Sequence, residues 1–103
     1  MTRTDRSVYR RIAAELAEHA DAQAAARHPH LGKAAAELGL VYLAFEAAPL
    51  ASDHVAKAWE AAEDARESLM YADAVGVGSD TARARLHLAL AALGAEPGPT
   101  PAR

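Results

Sequence analysis

Apolar residues recur along this chain every three to four positions, and nowhere do they alternate with a period of two over a useful length. The first rhythm marks amphipathic helices and the second is missing, so an all-α fold is expected. Val8, Ile12, Leu16, Ala20 and Ala24 predict a first helix from about Asp5 to Arg27, where Pro29 blocks continuation. A second helix is expected from His30 to Ala47, ahead of Pro49. The third has the sharpest pattern. Ser52 or Asp53 caps it; Val55, Trp59, Ala62, Leu69 and Ala72 form its apolar stripe; Asp53, Lys57, Glu60, Asp64 and Glu67 form its polar face. Gly76 and Gly78 are expected to end it in left-handed backbone, and a fourth helix to run from Asp80 to Gly94. The last nine residues, AEPGPTPAR, hold three prolines and are expected to form an unstructured tail, 95–103, behind one domain over 1–94.

The pattern also reads twice. Leu31–Phe45 laid over Ser79–Leu93, 48 residues on, pairs Ala34 with Ala82, Ala36 with Ala84, Leu38 with Leu86, Leu40 with Leu88 and Ala44 with Ala92. Two tandem helical hairpins follow from this, stacked as a short solenoid or closed as a four-helix bundle. Helices two and four are apolar on more than one side. Leu38, Val41, Tyr42 and Phe45 can share one face while Leu40 and Leu43 point elsewhere; Leu86, Leu90 and Leu93 share another face, with Leu88 off it. Either these are central helices touched from both sides, or each carries a second face for a dimer or partner interface. The interface reading selects Leu40, Leu43 and Leu88 as anchors, with Tyr42 and Tyr71 as aromatic support, and leaves Trp59 to the core.

Leu38-Gly39-x-x-Tyr42 resembles the first-helix signature of tetratricopeptide repeats. Extended in register, that resemblance places Ala51, Val55 and Ala58 at the family's second-helix positions, and it covers roughly residues 31–94. It implies a helical-hairpin module that binds protein. The implied concave surface carries Lys33, Ala36, Leu40 and Leu43, with Ala84 and Leu88 from the second copy. The 48-residue offset, Glu63 at the position of the family's terminating proline, and His87 at that of the signature glycine depart from the pattern.

Composition narrows the function. At 103 residues the chain has room for one modest core. It has no cysteine, which removes disulfides and thiolate metal sites, and its net charge of −3 is not that of a general nucleic-acid binder. Arg3, Arg6, Arg10 and Arg11 read as a solvated arm. There is no apolar run of membrane-spanning length and no signal-peptide pattern, so no membrane association and a cytoplasmic location are expected. The alanine-, glycine- and arginine-rich usage resembles that of high-GC bacteria.

Catalytic chemistry finds few candidates. None of His19, His28, His30, His54 and His87 follows a glutamate at the Glu-x-x-His spacing of di-metal bundles, so no metal site and no cofactor are expected. Glu15 and His19 stand one turn apart, and His28-Pro29-His30 offers only casual nickel or zinc binding. His30-Leu31-Gly32-Lys33-Ala34 resembles histidine phosphotransfer domains at the lysine, but Ala34 replaces their glycine and Pro29 puts the histidine at a helix start. Glu60, Glu63, Asp64 and Glu67 read as a solvated helix face, and no serine sits in a nucleophile motif. Arg83 and His87, one turn apart, are the place to look for an anion or ligand pocket. The expected function is therefore a small protein-interaction module that binds a protein partner or, the favoured case, a second copy of itself through the apolar faces of helices two and four. A ligand-binding or enzymatic bundle with its pocket at Arg83 and His87 is the alternative.

Overall fold

In a computed structural model, residues 7–49 and 52–94 are described. They form four α-helices: α1 (Ser7–Ala25), α2 (Pro29–Ala44), α3 (Asp53–Met70) and α4 (Ala74–Ala92). A 3-10 turn, Phe45–Ala47, continues α2, and there is no strand among the described residues. The fold is all-α, with two hairpins, α1 on α2 and α3 on α4. The expected tail at 95–103, the arm residues Arg3 and Arg6, and Ala51 lie outside the described residues.

Both hairpins turn in the same way. Arg27 and Ala72 take left-handed backbone, with φ of 66° and 56°. After each, a backbone N–H reaches back to the last helical turn: His28 N to Gln23 O at 2.8 Å, and Asp73 N to Ser68 O at 3.0 Å. A second bond nests inside each, Arg27 N to Ala24 O and Ala72 N to Leu69 O. This pairing satisfies the orphan carbonyls of a helix end in the manner usually served by glycine. His28 and Asp73 then begin the next helix. Pro29, which stops α1, is the first residue of α2, where its missing N–H costs nothing. The Asp73 carboxylate accepts from Gly76 N at 3.0 Å and caps α4.

That cap corrects two expectations. The third helix ends at Met70 rather than at the glycines, and α4 starts at Ala74 rather than Asp80, with Gly76 and Gly78 inside it. A glycine in a helix costs only about 1 kcal/mol relative to alanine, which a good cap and a packed face offset. A Cβ on Gly78 would meet nothing within 4 Å. Gly78→Ala is therefore expected to stabilise the fold by about 0.5–1 kcal/mol, read as a higher urea midpoint at unchanged slope.

The turns also reset the internal repeat. Arg27 and Ala72, like His28 and Asp73, stand 45 residues apart, not 48. The leucine pairs behind the longer offset have opposite environments: Leu38 is 0% exposed and Leu86 59%, while Leu40 is 65% exposed and Leu88 8%.

Close approach of helix backbones sets the packing. A Cβ on Gly32 would lie 3.1 Å from the Ala20 carbonyl oxygen, and one on Gly39 3.6 Å from that of Ala13. These two glycines, seven residues apart on α2, let α1 lie close against it. On α3 the same job falls to Ala58, Ala61, Ala62 and Ala65, all fully buried. The α2 helix packs against α1 and α4 and meets α3 through Tyr42. Four rings from three helices and the 3-10 turn interlock: Phe45 contacts Tyr9, Tyr42 and Trp59 at centroid distances of 5.5, 5.9 and 5.4 Å. Trp59 is half-buried against this core, as expected of it. Arg10 closes the same end, with Nε donating to Glu46 at 2.6 Å and a second guanidinium nitrogen at 3.2 Å.

Candidate functional site

Where α2 and α4 cross, their outer faces and the 3-10 turn leave an apolar groove of about 850 Å³. Glu37, Leu40, Val41 and Ala44 form its α2 wall, Arg85, Leu86, Leu88 and Ala89 its α4 wall, and Ala47 and Ala48 close one end. Val41 and Leu88 are buried, whereas Leu40 and Leu86 stand out at 65% and 59% exposure. The groove thus has an apolar base flanked by two unburied leucines. Its only ionisable lining residues are Glu37 and Arg85. The other lining residues are aliphatic, so what the groove chiefly presents is apolar surface.

The interface residues expected from the sequence separate into two groups. Leu40 lines the groove and Leu43 is 44% exposed beside it in sequence. Leu88 also lines it, but from below, because the face of α4 that carries Val77, Thr81, Ala84, Leu88 and Ala91 is the buried one. Of the face expected to carry Leu86, Leu90 and Leu93, Leu86 and Leu93 are exposed and Leu90 is half-buried. The reason is the neighbour: α4 packs mainly on α3, and that contact selects one stripe of an alanine–leucine helix whose sequence marks no unique face. Tyr71 is 75% exposed at the α3–α4 turn, beside exposed Met70 and Val75, and lines no part of the groove.

Tyr42 is corrected outright. It is fully buried, and its hydroxyl donates to Glu63 Oε2 at 2.9 Å while the Arg66 guanidinium lies 5.7 Å over its ring. Burial and then the Glu63 carboxylate push the phenol above its ordinary value of 10.0, so it stays a protonated donor. Glu63, expected on the solvated face with Glu60, Asp64 and Glu67, keeps part of that exposure while it accepts from Tyr42 and pairs with Arg66.

Arg83 and His87 each turn to a partner of their own. Arg83 donates to Asp80 Oδ1 at 2.8 Å, and His87 meets His54 of α3, Nδ1 to Nδ1, at 2.8 Å. Burial, then His54, Lys57 and Arg83, push the His87 pKa below its ordinary value of 6.5. Thirty-three residues separate the two histidines, so no local spacing signals their meeting.

A second, smaller cleft of about 500 Å³ lies between α1 and α3. Glu15, His19, Glu63, Arg66 and Glu67 edge it over Ile12, Leu16 and Leu69. No group of three or more histidines, aspartates or glutamates is placed to hold a metal ion among the described residues. No helix among them is long and apolar enough to cross a membrane. Compared with protein-family models, curated proteins and solved structures, the chain finds no match in any of the three.

Proposed function

We propose that the protein is a small interaction module that pairs with a second copy of itself through the α2–α4 groove. The observation that carries this reading is the groove itself, with exposed Leu40 and Leu86 flanking a buried apolar base. Large apolar side chains side by side on a surface mark a contact site. The charges favour a second copy as the occupant. Each copy has one anionic residue, Glu37, on the α2 wall and one cationic residue, Arg85, on the α4 wall. A two-fold arrangement brings each against its opposite while Leu40 of one copy enters the groove of the other. The weak tetratricopeptide-like signature in α2 agrees with a protein-binding role.

Native mass spectrometry and light scattering on the untagged chain test the reading. A dimer at micromolar concentration supports it; a monomer up to millimolar concentration overturns it. Charge reversal sharpens the test. Glu37→Arg and Arg85→Glu are each expected to weaken the dimer about fivefold to tenfold, from like charges set face to face, and the double reversal to restore it. Full strength in both single variants would leave no place for this pairing.

A further inference from the structure

Two histidines meet at the open end of the α3–α4 hairpin, away from the groove lining. His54, in the first turn of α3, is buried, and His87, past the middle of α4, is half-buried. Their Nδ1 atoms face each other at 2.8 Å and their rings stack at 5.1 Å with 29° between planes. A neutral imidazole carries one N–H and one lone pair, so this contact needs the proton on Nδ1 of one ring only. If that ring moves its proton to Nε2, both Nδ1 atoms carry lone pairs, 2.8 Å apart between two helices.

An ion bound there at ordinary Zn–N distances would hold the two nitrogens about 3.3 Å apart in tetrahedral geometry. The present separation is some half an ångström short of that, and His87 has the exposure to give. The donor set is two imidazoles, with no cysteine in the chain. Imidazole suits zinc, copper and nickel, whereas magnesium and calcium require oxygen. Lys57 of α3 and Arg83 of α4 are the charged groups that bear on His87, and Asp80 already pairs with Arg83. The Arg83–Asp80 pair offsets part of the repulsion these cations exert on a bound ion.

We propose that His54 and His87 bind a late first-row divalent ion, zinc or copper, which clamps α3 to α4 at the open end of their hairpin. Water completes the coordination, and copper binds more tightly than zinc. The site is separate from the groove, so the clamp and self-association stand or fall independently.

Zinc chloride added to the metal-free protein tests this. Binding to the folded state raises the melting temperature, here by about 5 °C at a hundredfold excess over Kd, since the unfolded chain's histidines take back part of the gain. The same rise is expected in the double variant His28→Ala/His30→Ala and its loss in His87→Ala. A rise that survives in His87→Ala, or disappears with His28 and His30, overturns the proposal, as does no response of the native chain. Zinc titration followed by the histidine ring resonances covers the case in which His87→Ala does not fold. Joint shifts of His54 and His87 support the clamp, and shifts confined to His28 and His30 overturn it.

Discussion

Leu40→Glu is expected to convert the dimer to a monomer without loss of helix. Leu40 is 65% exposed on the outer face of α2, so glutamate there meets water in the isolated chain and the fold keeps its stability within about 0.5 kcal/mol. In the dimer the same carboxylate would be driven into a groove lined by Val41, Leu86 and Leu88, whose one cation, Arg85, is already set against Glu37 of the other copy. Loss of a central apolar anchor costs about 2–4 kcal/mol, and burying an unpaired charge adds to it, so Kd should rise by at least a hundredfold. Light scattering reads the mass and circular dichroism the helix content. Loss of helix together with the dimer would make Leu40 a core residue. An intact dimer with intact helix would move the contact elsewhere, with the exposed Met70, Tyr71 and Val75 at the α3–α4 turn the next surface to try.

The contrast between Leu40 and its neighbours shows what a sequence can carry. Four helices were legible because each repeats apolar residues at helical spacing over more than four turns, and Ser52 marked one start correctly, accepting from Val55 N. The start of α4 was not, because Gly76 and Gly78 are strong local stop signals that a cap at Asp73 and burial of Val77 override. Leu40 and Leu43 could be seen as surplus because Leu38, Val41, Tyr42 and Phe45 already fill one face. On α4 the same reasoning chose Leu88, which packing buries at the base of the groove, and passed over Leu86, which stands exposed on its wall. Leu86, Leu88 and Leu90 alternate along an alanine helix, and only the position of α3 decides which is buried. The groove is a product of α2 and α4, whose starts lie 45 residues apart, and the His54–His87 contact of α3 and α4, so the first waits for the hairpins to pack and the second for the α3–α4 hairpin to close.

Tyr42 carries the other large expected effect, and it tests the boundary between core and interface directly. Its ring is fully buried and touches Phe45 and Trp59 at 5.9 and 5.6 Å. Truncating a buried aromatic to alanine costs about 3–5 kcal/mol, in transfer free energy and in the cavity left behind. A small domain holds only about 5–15 kcal/mol in all, so Tyr42→Ala is expected to lose most of its cooperative unfolding transition at room temperature. Tyr42→Phe keeps the ring and removes the 2.9 Å bond to Glu63. Glu63 is partly exposed, so water can replace the lost donor, and the expected cost is about 1 kcal/mol. Urea denaturation separates the two variants. If Tyr42→Ala kept its midpoint and lost only association, the tyrosine would belong to the surface, and the aromatic core joining α1, α2 and α3 would have to be rebuilt without it. A cost for Tyr42→Phe as large as that for Tyr42→Ala would instead place the stabilisation in the hydroxyl and its carboxylate. The four interlocking rings predict the opposite order, because they bury far more apolar surface than one polar contact can match.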